Sequence, residues 1–173
     1  MSDKLASIEK QVAAIIEQGA PPLARWHPAL SGDIDILIDR EGHWFHEGRV
    51  IKRPGLVRLF ASILRREDDG DYYLVTPVEK WRLRVALHPL VVTDFETMPG
   101  GTGLELVLNT SATVKLEHSG QWFREPKAES AAAVRLEYGR SALFSRPAWY
   151  RLVAAASVDA DGESLEIAGL SLS

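Results

Sequence analysis

The sequence predicts an α+β protein made of an N-terminal helix followed by two related β-rich halves. Two patterns predict this class: apolar residues recur at helical spacing near the N-terminus, and short alternating segments recur through the rest of the chain. A third observation, one short motif that occurs twice, indicates an internal duplication. We expect a helix and linker over residues 1–32, a first β-rich subdomain over 33–97 and a second subdomain over 98–173.

The composition narrows the class of protein further. The chain has 173 residues, enough to bury a sizeable core, and no cysteine, which excludes disulfides and cysteine-bound metals. No run approaches the roughly 20 apolar residues of a membrane helix, and the first 18 residues are amphipathic rather than signal-like. The formal net charge is −4. We therefore expect a cytoplasmic protein that binds neither nucleic acid nor a membrane.

The first element is predicted to be a helix over residues 3–18. Five apolar residues fall on one face of such a helix and give it a buried stripe: Leu5, Ile8, Val12, Ile15 and Ile16. Ser2 or Asp3 can cap its start, and the run Gly19-Ala20-Pro21-Pro22 ends it.

The first half is predicted to begin with a β-hairpin over residues 33–48. Isoleucine and aspartate alternate from Asp33 to Asp39, which is typical of a strand with one buried face. The run Asp39-Arg40-Glu41-Gly42 has the chemistry of a turn. The later elements predicted for this half are a helix over 54–66 and strands over 72–76 and 80–85.

The second half is predicted to consist mostly of strands. Alternating leucines and valines indicate strands near residues 104–108, 114–116 and 134–138, and one or two closing strands over 165–172. One helix is expected over residues 147–157.

The repeated motif reads Asp39-Arg40-Glu41-Gly42-His43-Trp44-Phe45-His46-Glu47 in the first half and Glu117-His118-Ser119-Gly120-Gln121-Trp122-Phe123-Arg124-Glu125 in the second. Each copy follows an alternating apolar segment, so both predict a strand, a glycine-containing turn and a strand. Convergent turn chemistry would explain the glycine but explains Trp-Phe-x-Glu less well, so duplication is favoured. Tryptophan and phenylalanine point to opposite faces of the strand, which makes them candidates for joining the halves.

Recognisable catalytic and metal-binding patterns are absent from the sequence. His43 and His46 are three apart in a predicted strand and would point to opposite faces, which argues against a metal site. There is no Gly-x-Ser-x-Gly elbow, nothing places a serine beside a histidine, and no phosphate-binding loop is present. We therefore predict no metal, no cofactor and no catalytic residue, and we favour a protein that is not an enzyme.

Basic residues are concentrated in two places. Six lie between Arg49 and Arg66 with no acidic residue among them, and Lys80, Arg82 and Arg84 share one face of a predicted strand. A solvated helix face with favourable charges at its C-terminal end explains the first group, and an anion site is the alternative. The sequence favours solvent for the strand face; at an interface between the halves it would offer donors to an anion.

The most distinctive stretch of the sequence is the run Leu64-Arg65-Arg66-Glu67-Asp68-Asp69-Gly70-Asp71-Tyr72-Tyr73-Leu74-Val75-Thr76-Pro77-Val78-Glu79-Lys80. With residues 31–36, 44–48 and 56–60, and more loosely with residues 136–140 and 145–150, it resembles the bacterial domain-of-unknown-function family 1285. Residues 86–90 depart from the family pattern. The resemblance implies two related subdomains, the second similar to a pleckstrin-homology β-barrel with a helix. It also implies a signalling role and a ligand site between the halves for a nucleotide-like molecule, without catalytic residues.

The resulting hypothesis is a non-enzymatic ligand-binding or signalling module that takes a nucleotide-like anionic small molecule. Arginines would bind a phosphate or carboxylate, and an aromatic ring would stack on the ligand. The candidate ligand-binding residues are Arg65, Arg66, Thr76, Glu79 and Lys80, with Trp44 or Tyr72 as the stacking wall. Arg66 and Glu79 could equally form a structural ion pair. The alternative hypothesis is a protein-interaction scaffold that presents a sheet edge or its terminal helix to a partner.

Overall fold

The structure is a computed structural model, and it describes residues 3–129 and 131–172. Contacts divide the chain into two units. Unit 1 comprises residues 1–87 together with the tripeptide Tyr138–Arg140, and unit 2 comprises residues 88–137 and 141–173. The described residues form three α-helices and mostly β-sheet, which confirms the α+β class.

Unit 1 contains two α-helices and a six-stranded sheet. The N-terminal helix forms but ends at Ile16, and it buries Leu5, Ile8 and Val12 while Ile16 is exposed. The alternative cap Ser2 lies outside the described residues. The predicted hairpin also forms, with Ile36, Leu37 and Ile38 opposite His46, Phe45 and Trp44. The elements are α1 (Asp3–Ile16), β1 (Leu30–Ile38), β2 (Trp44–His46), β3 (Arg49–Val50), α2 (Pro54–Ser62), β4 (Leu64–Arg66), β5 (Tyr72–Val75) and β6 (Lys80–Val85).

Helix α2 is shorter than the sequence predicts. It ends at Ser62, and Leu64 to Arg66 form β4, which pairs antiparallel with β5. Leu64 is fully buried opposite Leu74, so tertiary burial and strand pairing override local helix preference here. The prediction that Arg65 and Arg66 are charges at a helix C-terminus is therefore wrong.

Unit 2 contains a second six-stranded sheet, one α-helix and a small three-stranded sheet. The small sheet contains strands over residues 165–167 and 170–172, which confirms the predicted closing strands. The elements are β7 (Leu90–Thr97), β8 (Leu104–Leu108), β9 (Thr113–Leu116), β10 (Trp122–Glu125), β11 (Ala131–Arg135), β12 (Ser141–Phe144), α3 (Arg146–Ala155), β13 (Ser157–Val158), β14 (Leu165–Ile167) and β15 (Leu170–Leu172).

The two six-stranded sheets have the same strand order. The first sheet runs β3-β2-β1-β6-β5-β4, and the second, taken from its other edge, runs β9-β8-β7-β12-β11-β10. In each sheet the first and sixth strands pair in parallel at the centre, and the other strands pair antiparallel. The topology is thus repeated, while the helices occupy different places: α2 lies between the third and fourth strands, and α3 follows the sixth.

The two copies of the Trp-Phe motif do not occupy equivalent places in this topology. The first copy forms the hairpin of β1 and β2. The second spans β9 and β10, which lie at opposite ends of the strand order and share no ladder. A 3-10 helix, Ser119–Gln121, replaces the turn, because the Gln121 side chain accepts hydrogen bonds from the main chain of Glu117 and His118. The predicted second hairpin is therefore wrong.

The core of each unit is built from the apolar faces of its sheet and helices. Trp44 and Trp122 are nearly inaccessible, and their indole nitrogens have no hydrogen-bond partner in the part of the chain that is described. Among the same residues, no helix combines the length and apolar character needed to cross a membrane.

Candidate functional site

The basic strand face of β6 is neutralised by aspartates on the neighbouring strand. Arg82 makes two hydrogen bonds to Asp33, at 2.8 and 3.3 Å, and Arg84 bonds Asp35 at 2.8 Å. These pairs arise because β1 and β6 lie side by side in parallel, with Asp33 in register with Arg82. Arg82 holds the pKa of Asp33 below its usual value, chiefly through its hydrogen bonds to the carboxylate. The charges of Arg82 and Arg84 on this face are therefore already compensated by aspartates.

Two of the predicted ligand-binding residues, Arg65 and Lys80, converge on Glu67. Arg65 Nη2 lies 2.7 Å and Lys80 Nζ 3.0 Å from the Glu67 carboxylate. Burial raises the pKa of Glu67, but hydrogen bonds from both cations lower it by more, so its pKa lies below the usual value. The other Arg65 nitrogen donates to the carbonyls of Leu23 and Trp26, at 2.9 and 2.8 Å. Arg65 thus fixes the linker that precedes β1.

A tyrosine hydroxyl adjoins this group. Tyr73 donates to Asp69 at 2.5 Å, and Lys80 Nζ lies 4.8 Å from the centre of its ring. The Asp69 hydrogen bond, together with burial, raises the pKa of Tyr73 to about 12. This tyrosine therefore remains a neutral hydrogen-bond donor across the physiological range.

Three further candidates serve local structure. Thr76 is fully buried, and its hydroxyl accepts from the main-chain N–H of Glu79 at 3.0 Å, which closes the turn between β5 and β6. The Glu79 carboxylate accepts from Gln11 of α1 at 3.1 Å, so the alternative Arg66–Glu79 ion pair does not form. Trp44 lies in the core at 2% exposure. Ligand binding by these residues stays a prediction.

Arg66 and Tyr72 are opposite each other in the β4–β5 ladder, at the end next to the turn. Arg66 lies over the Tyr72 ring, 5.5 Å from its centre, and its Nε donates to the Gly70 carbonyl at 3.1 Å. Its two terminal nitrogens have no acceptor within residues 3–129 and 131–172. Arg66 is exposed, whereas Tyr72 is buried.

The tripeptide Tyr138–Arg140 packs directly against Arg66. A Cβ on Gly139 would lie 2.8 Å from the Arg66 carbonyl oxygen, and the φ of Gly139 is +68°. Arg140 lies over the Tyr138 ring at 5.6 Å and donates to the carbonyl of Ala61 at 3.0 Å. We call Arg66, Tyr72, Tyr138 and Arg140 the arginine–tyrosine cluster. Its second half could not be located from sequence, because its contact with Arg66 spans distant parts of the chain.

Unit 2 contains a serine–histidine–glutamate relay that the sequence reasoning missed. His88 lies 2.7 Å from the Ser141 hydroxyl and 2.8 Å from the Glu125 carboxylate. Burial raises the pKa of Glu125, but the Lys127 N–H and His88 lower it by more, leaving the carboxylate ionised. Hence the expectation that nothing places a serine beside a histidine is wrong. A signal was available in Glu125, because it is the glutamate that the repeated motif retains.

The hydrogen bonds of the relay allow a proton to pass between its members. The burial of the three residues decides whether the relay can act on a substrate. All three residues are at most 9% exposed, so the Ser141 hydroxyl does not face solvent as a nucleophile attacking an external substrate would. His88, which precedes β7, is hydrogen-bonded to Glu125 at the end of β10 and to Ser141 at the start of β12. We interpret the relay as a structural connection.

The turn between β1 and β2 holds three groups of metal-ligand type. Side-chain atoms of Asp39, Glu41 and His43 all lie within 4.8 Å of one another. However, one Asp39 oxygen already accepts from the main chain of Glu41 and His43, and the other lies 3.1 Å from the His43 ring. An Asx-type turn accounts for this arrangement without a metal.

Comparison with known proteins identifies one family model and two solved structures that are similar to this chain. Residues 21–86 match the family model described as the N-terminal domain of a domain of unknown function (DUF1285). A DUF1285 family protein from Silicibacter pomeroyi DSS-3 has 31% identity and a TM-score of 0.82, with 99% of this chain and 94% of that chain covered. A DUF1285 family protein from Shewanella baltica OS155 has 28% identity and a TM-score of 0.61, with 69% and 90% covered. No curated protein matches the chain.

Proposed function

We propose, from the premise that this chain belongs to the DUF1285 family, that it is a ligand-binding module for a nucleotide-like anion. The observation that carries the proposal is the arginine–tyrosine cluster of unit 1. There an exposed guanidinium with unbonded terminal nitrogens lies on a buried tyrosine, and a second arginine–tyrosine pair is packed against its main chain.

The chemistry of Arg66 suits a ligand that has both a flat ring and a phosphate. An exposed guanidinium can bind an aromatic ring on its face. The edge of the same group offers paired N–H donors that match two oxygens of a phosphate or carboxylate. The Gly70 contact fixes one side of the group, so less rotamer entropy is lost on binding.

The remaining predicted residues enter this proposal as support for the cluster. Glu67 with Arg65 and Lys80 stabilises the hairpin on which Arg66 and Tyr72 lie. Substitution of Arg65 would remove contacts to the linker carbonyls, so it cannot separate binding from folding. Substitution of Arg66, in contrast, tests ligand binding directly.

Calorimetry with ATP, AMP, adenosine and pyrophosphate tests the proposal. We expect binding that needs both ring and phosphate, and a loss of at least about tenfold in affinity in Arg66→Ala, since a charge-assisted pair contributes about 1.5 kcal/mol or more. Arg66→Lys keeps the charge but loses the planar pair of N–H donors. Its affinity should lie between those of the unchanged protein and Arg66→Ala. A bound nucleotide should also raise the melting temperature.

Arg124→Ala is the matched control. Arg124 is likewise exposed and lies over an aromatic ring, 5.7 Å from the centre of Trp149, but it belongs to unit 2. Its affinity for the nucleotides should equal that of the unchanged protein. Equal losses in both variants, or no binding at about 1 mM of any compound, would reject the proposal.

The second candidate function is a protein-interaction scaffold, which the outer face of α3 favours. Tyr150 and Val153 are 62% and 39% exposed and lie one turn apart on this helix. Pull-down from a bacterial host with Tyr150→Asp against the unchanged protein tests it, with Val78→Asp as the control because Val78 is equally exposed on unit 1. A stoichiometric partner lost only in Tyr150→Asp would support the scaffold.

We also infer that the two halves arose by duplication, in a register different from the one that the Trp-Phe motif indicates. The shared strand order, with a parallel central pair in both sheets, supports the inference. In that register β2 corresponds to β8 and β4 to β10, so Trp44 and Trp122 are not equivalent residues.

A further inference from the structure

The dipeptide Asp-Gly occurs twice in the chain, as Asp69-Gly70 in the turn between β4 and β5 and as Asp161-Gly162 in the loop between β13 and β14. An acidic residue follows each copy, Asp71 in the first and Glu163 in the second, so the two local sequences are closely matched. In such a sequence the glycine nitrogen can attack the aspartate side chain, because glycine has no Cβ to obstruct the approach. A difference in reactivity between the copies must therefore come from the surrounding structure.

The reaction is a rearrangement of the main chain that consumes only water and releases it again. The glycine nitrogen forms a bond to the side-chain carboxyl carbon of the aspartate, and the carboxyl hydroxyl leaves with the nitrogen's proton as water. The succinimide ring so formed then takes up water. Cleavage between the nitrogen and the main-chain carbonyl carbon leaves an isoaspartyl link, and cleavage on the other side restores aspartate. The hydroxyl leaves readily only from the protonated carboxyl group.

The structure restrains the first copy. The Asp69 carboxylate accepts from the Tyr73 hydroxyl at 2.5 Å and from the Asp71 main-chain N–H at 2.9 Å. These hydrogen bonds, that of Tyr73 above all, hold the pKa of Asp69 below its ordinary value, so the carboxylate stays ionised at neutral pH. Gly70 is restrained as well, since its carbonyl accepts from Arg66 Nε at 3.1 Å. Ring closure at this copy would have to break these contacts.

The second copy lacks such restraints on its side chain. Asp161 is exposed, and within the described part of the chain its carboxylate has no hydrogen-bond or ion-pair partner. Gly162 is exposed too, and a Cβ placed on it would meet nothing within 4 Å. The Gly162 N–H donates to the Asp159 carbonyl at 3.1 Å, which is a turn contact in an exposed loop. Contacts of this kind open by local fluctuation and free the nitrogen.

The loop that contains Asp161 is closed by another aspartate. The Asp159 side chain accepts from the Glu163 main-chain N–H at 2.9 Å and from the Ser164 hydroxyl at 2.5 Å. An isoaspartyl link would add one atom to the main chain between Asp161 and Gly162, inside the segment that both bonds span. Modification should therefore loosen the β13–β14 hairpin.

We propose that Asp161-Gly162 is a self-modification site, at which the folded chain converts its own aspartyl bond into an isoaspartyl bond through a succinimide. Asp69-Gly70, although matched in sequence, is protected by its hydrogen bonds. The site lies in unit 2 and does not depend on the nucleotide site proposed for unit 1.

Storage of the folded full chain at body temperature and neutral pH, followed by trypsin digestion and mass spectrometry, tests this proposal. Trypsin places the two copies in different peptides. Cleavage after Arg66 and Lys80 releases residues 67–80, and cleavage after Arg151 releases residues 152–173. Electron-based fragmentation of each peptide then distinguishes isoaspartate from aspartate and assigns its position.

We expect at least about tenfold more isoaspartate at Asp161 than at Asp69, since ring closure at Asp69 must first break two hydrogen bonds to a charged group. Storage in concentrated urea removes the structural difference, so the two amounts should then agree within about threefold. Tyr73→Phe removes one of the protecting hydrogen bonds and should raise isoaspartate at Asp69 by about threefold or more, with Asp161 unchanged.

Asp161→Glu is the control for the assignment, because glutamate would have to close a larger ring. This variant should yield no isoaspartate in residues 152–173. The proposal is overturned if the folded chain accumulates equal amounts at Asp69 and Asp161, or if the modified residue in the second peptide is Asp159. It is also overturned if Asp161 stays unmodified in the folded chain over a storage time that modifies the chain in urea.

Discussion

The two six-stranded sheets share a strand order but treat charge in opposite ways. In the first sheet, each charged row meets its complement: Asp33 and Asp35 of β1 face Arg82 and Arg84 of β6. In the second sheet, Glu96 of β7 faces Glu105 of β8, a like-charge pair on the antiparallel step next to the central parallel pair. Unit 2 also buries an ionisable relay, whereas no histidine, acidic or basic side chain among the described residues of unit 1 is buried.

The two sheets show that topology and electrostatics are separate properties of a fold. Backbone pairing and an apolar face suffice to produce the strand order, because both sheets achieve it with different charge patterns. Charge pairs that oppose folding are therefore informative about function, since packing does not explain them. Four substitutions test the contrast.

The largest effect is expected at the buried relay. His88→Ala leaves the Glu125 carboxylate without one partner in a site where both residues are under 10% exposed, which should cost about 3 kcal/mol of unfolding free energy. Urea denaturation measures it. His27→Ala is the control, since His27 makes an exposed contact to the Ala24 carbonyl and should change stability little. Equal losses of unfolding free energy in the two variants would show that the buried relay contributes no more to stability than the exposed His27 contact.

The next effect is expected where Gly139 packs on Arg66. Gly139→Ala places a Cβ within 2.8 Å of a carbonyl oxygen at a φ of +68°, so we expect a loss of about 2 kcal/mol. Gly120→Ala, at a glycine with open space around its Cβ, should be nearly neutral. Thermal denaturation compares the two. A neutral Gly139→Ala would mean that this tripeptide is not held against β4, and the arginine–tyrosine cluster would lose its support.

A smaller effect is expected at the paired charges of the first sheet. The folded pKa of Glu67 lies below its ordinary value of 4.5, so its contribution is complete above that pH and is lost as the pH falls through the folded pKa. Glu67→Gln should cost about 1 kcal/mol at pH 7, a figure reduced for its partial exposure. The variant should also lose less stability than the unchanged protein between about pH 5 and pH 3. Parallel acid-denaturation curves would contradict this.

The smallest effect has the opposite sign and belongs to the second sheet. Glu96→Gln removes one charge of a repelling cross-strand pair, so stability should rise by roughly 0.3 kcal/mol. A double-mutant cycle with Glu105→Gln isolates the pair, because the gain should vanish once Glu105 is neutral. If Glu96→Gln destabilises instead, the like-charge pair is not a source of strain and the contrast between the sheets weakens.

Local patterns predicted most of the strands correctly. The alternation of isoleucine and aspartate after Gly32 predicts β1, and that of Trp81, Leu83 and Val85 predicts β6, because each strand buries one face. The end of α2 could not be predicted in this way. Leu64 leaves the helical pattern because its partner Leu74 lies in a later strand, and that information is not local.

The candidate sites divide along the same line. Arg66 and Tyr72 are both candidates from the sequence, but their pairing is not predicted, because the sequence places Arg66 at the end of a helix and not in a hairpin with Tyr72. Tyr138 to Arg140 joins them from far along the chain, and the relay unites His88, Glu125 and Ser141 from three separate segments. The pairing of Arg82 with Asp33 likewise depends on the parallel register of β1 and β6, which no local period specifies.

The parallel pair at the centre of each sheet also bears on the order in which the chain folds. β1 and β6 are the first and last strands of their sheet along the chain, as are β7 and β12. The hairpins at the edges close short loops, whereas each central pair forms only after the whole intervening segment has been synthesised and brought round. We therefore expect the edge hairpins to form early and the central ladders to limit the folding rate of each unit, so that a chain truncated before β6 or β12 has hairpins but no complete sheet.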